Sequence, residues 1–103
     1  MPHESADPRV VLGRRLAAHR EARKLSPAGL SAISELDVTN IRKIEAGGGN
    51  PQLLTVLRIA GVLEIDLAEL FAGLDPYALP EGVRPTPVSG LPDSYFRRGD
   101  RIA

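Results

Sequence analysis

The sequence predicts an all-α protein, with five short helices in one compact domain and a proline-rich tail after it. Three observations support this prediction. Apolar residues recur at three-to-four spacing from about residue 9 to residue 71. A capping residue followed by proline, a common start of a helix, occurs at Ser26-Pro27 and at Asn50-Pro51. No stretch of the chain alternates apolar and polar side chains as a strand does.

Length and composition fit one small domain. The 103 residues are 43% hydrophobic, which permits a modest core. The chain has no cysteine, so disulfides, thiolate metal sites and cysteine nucleophiles are excluded and a reducing cytoplasm is expected. No apolar run approaches the roughly 18 residues of a membrane span. The polar start MPHESADPRV has no apolar segment of the signal-peptide type.

The first predicted helix is basic. Residues 1–8 contain two prolines and no periodicity, which predicts a loose N-terminal arm. Helical periodicity then runs from about Arg9 to Arg23. Residues 9–24 carry six Lys or Arg against one Glu, whereas residues 58–75 carry one Arg against four acidic residues. The basic end either contacts phosphates or only solvates a helix surface.

Residues 25–51 have the outline of a helix-turn-helix. Ser26 predicts a cap for a helix over 27–34, which buries Leu30, with Ile33 as a further candidate. Asp37 predicts a cap for the next helix, over about 38–46.

That third helix has two distinct faces. Ile41 and Ile44 are predicted to point inward, while Arg42 and Lys43 point outward. The run Gly47-Gly48-Gly49 ends the helix, because glycine reaches left-handed geometry at little cost.

Two further helices complete the predicted domain. The fourth starts after Asn50-Pro51 and should be the most buried, because apolar residues surround it: Leu53, Leu54, Val56, Leu57, Ile59 and Ala60. Asp66 and Glu69 form a capping pair for a short fifth helix that ends near Ala72. The domain is therefore predicted over residues 9–72.

Residues 73–103 form the predicted tail, in which five prolines prevent regular structure. One interpretation is a flexible tail. The other is a tail that docks on its own domain or on a partner subunit, because it holds three of the four aromatic residues: Tyr77, Tyr95 and Phe96. Its end is basic, with Arg97, Arg98 and Arg101.

The sequence gives little support for catalysis. Its two histidines are His3, on the arm, and His19, within the first helix. No Ser/His/Asp set, metal-ligand cluster or phosphate loop is present. We therefore expect no enzymatic activity, no cofactor and no bound metal.

Residues 12–71 resemble the phage-repressor, or Xre-type, helix-turn-helix family. The resemblance is carried by HREARKLS (19–26), IRKIEAGGGNP (41–51), LRIAGVL (57–63) and IDLAELF (65–71). It implies a lambda-repressor-like fold and a cytoplasmic regulator of transcription, such as a repressor. It also implies a homodimer that binds double-stranded DNA at two half-sites of a two-fold operator, with the third helix in the major groove.

Carried over by position, the resemblance implies which side chains read bases: Val38, Thr39, Asn40, Arg42 and Lys43. Val38 and the Thr39 methyl would pack on a thymine methyl, and Asn40 would pair with an adenine edge. Arg42 or Lys43 would reach guanine acceptors or a nearby phosphate. Asn40 could instead cap its helix, and Arg42 could be a solvated side chain.

Phosphate contacts are expected at helix N-termini, where N–H groups and the helix dipole face an anion. The candidates at the helix starts are Ser26, Asn50 and Gln52, and Arg15 and Arg23 are candidate side-chain partners for a phosphate. Arg20 and Glu45 occupy the family positions of an ion pair. The dipole disfavours a carboxylate near the end of a helix, so Glu45 needs a partner, and Arg20 offers a fork of donors. We expect this pair to be structural, with a phosphate contact by Arg20 as a further possibility.

Several positions depart from the usual family residues. Pro27 replaces a phosphate-clamping Gln, and Gly48-Gly49 replaces a basic loop. Polar residues also stand at three positions where the family usually has others. Ser31 replaces a small alanine, Ser34 replaces a core aliphatic residue, and Glu35 replaces a turn glycine. The loss of two or three phosphate contacts would lower affinity about tenfold or more. An alternative function therefore stays open: a protein-interaction module or antitoxin-type protein whose tail engages a protein partner.

Overall fold

A computed structural model describes residues 6–96, and the regular structure in that range is entirely helical. The five α-helices are α1 (Pro8–Ala22), α2 (Pro27–Ser34), α3 (Val38–Glu45), α4 (Leu53–Val62) and α5 (Leu67–Phe71). Three short 3₁₀ helices follow in the tail, at Pro76–Ala78, Val88–Gly90 and Asp93–Tyr95. The prediction of an all-α, five-helix fold is confirmed. His3 and the basic residues Arg97, Arg98 and Arg101 lie outside the described range.

Side-chain caps determine where four of the helices begin. In each, an oxygen of the capping side chain accepts a hydrogen bond from a first-turn amide, and the caps are Asp7, Ser26, Asp37 and Asp66. Asp7 caps α1 with Pro8 at its first position, so this helix begins one residue earlier than predicted. The Glu69 carboxylate of α5 lies 3.7 Å from His19 Nε2 of α1.

The start of α4 differs from the prediction. Asn50-Pro51 does not open this helix, which begins at Leu53 with Gln52 at the cap position and no side-chain cap. The predicted burial is also wrong for its first turn, because Leu53 is 63% exposed and Leu54 is 77% exposed. The core covers the later turns of α4, through Val56 and Ile59, but not the first.

One core joins the five helices. Each contributes a fully buried side chain, as shown by Leu16, Leu30, Ile41, Ile59 and Leu70. The helix α1 packs on α3 and α5, while α2 packs on α3 and α4. Ile33, a candidate for this core, is exposed instead.

The helices α1 and α3 pack closely at Gly13. A Cβ there would lie 2.8 Å from the Glu45 carbonyl oxygen and would also contact the Ile44 carbonyl oxygen. Glycine is therefore required for these two helices to pack at this separation.

The tail lies mostly on the surface. Tyr77 and Tyr95 are exposed, so these two aromatics do not anchor it to the domain, whereas Phe96 is half-buried. Residues 79–84 form a closed turn, which we call the tail turn. Within it Arg84 Nε donates to the Leu79 carbonyl at 3.0 Å. No helix within residues 6–96 has the length and apolarity needed to cross a membrane.

Candidate nucleic-acid interface

The helices α2 and α3 form one unit with a buried and an exposed side. Ile41 and Ile44 of α3 are buried in the core. The opposite side of α3 exposes four of the five residues predicted to read bases, namely Thr39, Asn40, Arg42 and Lys43. Val38, the fifth, is half-buried at the start of the helix. Because side chains three and four residues apart are neighbours on a helix, the exposed four share one surface.

The capping role considered for Asn40 belongs to Asp37. The Asp37 carboxylate accepts a hydrogen bond from the Thr39 amide at 2.7 Å, which satisfies one of the amides at the start of α3. Asn40 lies in the third position of this helix with its side chain exposed. Its amide group is thus on the surface and available to a ligand.

Two serines of α2 hold the turn that leads into α3. The Ser31 hydroxyl donates to the Leu36 carbonyl. The Ser34 Oγ accepts from the Leu36 amide at 3.3 Å and donates to the Leu30 carbonyl at 2.7 Å. Both backbone groups of Leu36 are therefore bound by α2. The polar atoms that Ser31 and Ser34 place near the core are all satisfied, so the expected cost of burying them does not arise.

Glu35 occupies the strained position of this turn. Its φ of +61° lies in the left-handed region, which costs a residue other than glycine about 1–2 kcal/mol. The serine bonds on either side hold the chain in this conformation. The departures at Ser31, Ser34 and Glu35 thus belong to one turn, in which hydrogen bonds offset backbone strain.

Arg20 and Glu45 join α1 to the end of α3. Arg20 Nε and Nη2 donate to the two Glu45 carboxylate oxygens at 2.8 and 2.9 Å, and Nη1 donates to the Leu25 carbonyl at 2.6 Å. The hydrogen bonds that Arg20 donates to the Glu45 carboxylate raise the pKa of Arg20 above its ordinary value. Arg20 is only 8% exposed. All three of its nitrogens bind the protein, so the pair positions α3 and leaves little of Arg20 for a phosphate.

Glycines shape the loop after α3. Gly47 has a φ of +80°, and a Cβ there would lie 2.9 Å from Val10 Cα. Gly49 has a φ of +70°, and a Cβ there would lie 2.8 Å from Lys43 Cε. The sequence predicted these glycines only as a helix end. The structure shows that they also make room for α1 and for the stem of Lys43, which lies along the loop.

The five predicted phosphate-contacting residues divide into two groups. Ser26 and Gln52 stand at the N-termini of α2 and α4, and Asn50 lies in the exposed loop two residues before Gln52. The two arginines instead bind the chain itself. Arg15 Nη1 donates to the Leu70 carbonyl at 2.8 Å, and Arg23 Nη2 donates to Glu64 at 3.0 Å. The phosphate role expected for these two arginines stays a prediction.

Two arginines near the loop were missed by sequence reasoning. Arg9 Nη1 donates to the Gly49 carbonyl at 2.8 Å, and its guanidinium is paired with Asp7 at 2.7 Å. Arg84 belongs to the tail turn, whose Leu79 and Val83 line a cleft together with Gly49 and Asn50 of the loop. The position of Asp7, two residues before Arg9, could have indicated that these two side chains pair. A contact between the tail and the loop leaves no such signal in the local sequence.

The part of the chain between residues 6 and 96 contains no group of three His, Cys, Asp or Glu side chains placed to hold a metal ion. A comparison with protein families matches residues 16–70 to the family described as helix-turn-helix. The match covers more than half of the chain and includes all of α2, α3 and α4. No curated protein matches the chain.

Proposed function

The chain belongs to the Xre-type helix-turn-helix family of DNA-binding regulators, and from this premise we propose that it is a sequence-specific transcriptional regulator of the cytoplasm that binds a two-fold operator as a homodimer. The observation that carries the proposal is the exposed side of α3, where Thr39, Asn40, Arg42 and Lys43 lie together. The major groove of B-DNA, about 12 Å wide, admits a helix with such a surface.

Each residue of this surface has a matching base edge. Asn40 pairs with the N6 and N7 atoms of adenine, and Arg42 or Lys43 donates to the acceptors of guanine. The Thr39 methyl and Val38 pack on a thymine methyl. Each good bidentate contact discriminates against the wrong base by about 1–3 kcal/mol.

Phosphate contacts at two helix N-termini would set the register. The Ser26 hydroxyl accepts from the Gly29 amide at 2.9 Å and keeps its own proton for a phosphate oxygen. At α4 no side chain caps the first turn, so its N–H groups are available to an anion beside Gln52 and Asn50. Pro27 has no N–H, which leaves α4 as the better phosphate site of the two.

A dimer contact can be proposed on α5. Leu67 and Phe71 are 44% and 38% exposed, and their four-residue separation puts them on one face. Leu70, between them in the sequence, is wholly buried in the core and is not available for this contact. A two-fold dimer would place the half-sites about 34 Å apart, one turn of DNA.

The experiment is selection of bound duplexes from a random pool, followed by affinity measurements on the enriched sequence. We expect a two-fold consensus whose binding is lost in the double variant R42E/K43E. The control is R58E, which reverses one exposed charge on α4. Operator binding that survives in R42E/K43E would contradict the assignment of α3 as the reading helix.

A protein-interaction module of the antitoxin type is the second candidate. Leu53 and Leu54 are exposed at the edge where phosphates are expected, and Tyr77 and Tyr95 are exposed on the tail. Exposed apolar side chains of this kind fit a protein partner. A folded protein that enriches no duplex in the selection would favour this candidate.

A further inference from the structure

We propose that Arg84, in the tail, is a further phosphate ligand, placed beside the loop that follows α3. The proposal rests on the DNA-binding function proposed above. It concerns a loop in which Gly48 and Gly49 stand where the family often has a basic residue, so the loop carries no basic residue of its own.

The tail turn lies next to that loop. Leu79 and Val83 of the turn line one cleft together with Arg9, Gly49 and Asn50. Asn50 is one of the residues proposed to contact phosphate. The tail therefore adjoins the proposed DNA-facing edge of the domain and does not extend away from it at this point.

The turn holds the Arg84 guanidinium beside Leu79, one of the residues that line the cleft. Arg84 Nε donates to the carbonyl of Leu79, a cleft residue, at 3.0 Å. The Val83 amide donates to the Pro80 carbonyl at 3.2 Å, and Gly82 has a φ of +95°, a conformation that favours glycine. These features close the turn and hold the guanidinium group of Arg84, an exposed residue, against Leu79.

Charge distinguishes Arg84 from Arg9, the other arginine near the cleft. The guanidinium of Arg9 is paired with the Asp7 carboxylate at 2.7 Å, which offsets its charge. Arg84 binds a neutral carbonyl, so its positive charge remains effective toward a phosphate. Glu81, an exposed residue of the same turn, carries a negative charge that opposes the charge of Arg84. Neutralising Glu81 should therefore change DNA affinity in the opposite direction from neutralising Arg84.

The test measures operator affinity of the full chain at several salt concentrations, using the duplex enriched from the random pool. We expect R84Q to weaken binding about three- to tenfold and to lower the slope of log affinity against log salt by about 0.9 per subunit. R84K keeps the charge and should keep the slope. E81Q should strengthen binding, and the matched control R58Q, on α4, should leave the slope unchanged.

The outcomes separate this proposal from the proposed function. If the unmodified protein binds its operator and R84Q matches it in affinity and slope, Arg84 is not a phosphate ligand, although the regulator stands. Tighter binding by R84Q would overturn the proposal in favour of a tail that blocks DNA. If R84K lowers the slope of log affinity against log salt as R84Q does, the positive charge of Arg84 is not what contributes to binding. Failure of the unmodified protein to enrich any duplex would overturn both proposals.

Discussion

Across the turn between α2 and α3, the Oγ atom of Ser34 accepts a hydrogen bond from the Leu36 amide at 3.3 Å. Ser34 is 4% exposed and simultaneously donates to Leu30, so a hydroxyl at a core position serves the geometry of the turn. This relationship explains how a polar residue is accommodated where the family usually has an aliphatic one.

We expect Ser34→Ala to destabilise the protein by about 1–2 kcal/mol, because the Leu36 amide loses its partner in a half-buried turn. Urea unfolding measures the change. The control is Ser94→Ala, at an exposed serine of the tail, which should change the free energy of unfolding by less than about 0.5 kcal/mol. Equal stability of Ser34→Ala and the parent protein would show that the bond does not support the turn.

We expect Glu35→Gly to stabilise the protein by about 0.5–1 kcal/mol. Glycine relieves the left-handed strain at a φ of +61°, and part of this gain is offset by the greater freedom of glycine in the unfolded chain. The midpoint of thermal unfolding should rise. Glu21→Gly, within α1, is the matched comparison and should lower it. A lower midpoint for Glu35→Gly would mean that the Glu35 side chain contributes more than its backbone costs.

Two glycine substitutions should have opposite effects. Gly13→Ala places a Cβ 2.8 Å from the Glu45 carbonyl oxygen and should cost about 2–3 kcal/mol, because α1 must move away from α3. Gly61→Ala, in α4, meets nothing within 4 Å and should stabilise by about 0.5–1 kcal/mol. Both are measured by chemical denaturation. Similar effects of the two substitutions would contradict the close packing at Gly13.

The Asp7 carboxylate should make the start of α1 sensitive to acid. The hydrogen bond from the Arg9 guanidinium holds the pKa of Asp7 below its usual value of 3.8. A depressed carboxyl pKa adds stability that is present above pH 3.8 and is lost as the pH falls through the lower, folded-state pKa. Asp7→Asn keeps a good cap but removes the charge, so this variant should lose less stability between pH 5 and pH 2. Parallel pH profiles for the two proteins would refute the contribution.

Three of the four helix starts that a capping side chain marks were predictable from the sequence, and the exception is Asp7 at the start of α1. Ser26, Asp37 and Asp66 each bind a first-turn amide, and the sequence identified all three. Asn50-Pro51 offered the same signal, yet α4 begins at Leu53, because Gln52 takes an extended conformation at the cap position. The outward placement of Arg42 and Lys43 followed from helical periodicity alone.

Most contacts between distant parts of the chain were not predictable, and the Arg20–Glu45 pair was expected because the family resemblance implied it. The hydrogen-bond partner of Arg15, Leu70, lies 55 residues away, and the partner of Arg23 lies 41 residues away. Local patterns carry no information about such pairings. The same holds for the tail turn, whose position beside Asn50 depends on tertiary packing.

The uncapped first turn of α4 would link folding to DNA binding thermodynamically if a DNA phosphate binds there. The N–H groups of this turn lack a side-chain acceptor in the free protein. A phosphate that binds there would act as the missing cap, so operator DNA would raise the melting temperature of the protein and slow hydrogen exchange at residues 53–55. The helix α4 would then reach its full stability only when the protein is bound to operator DNA.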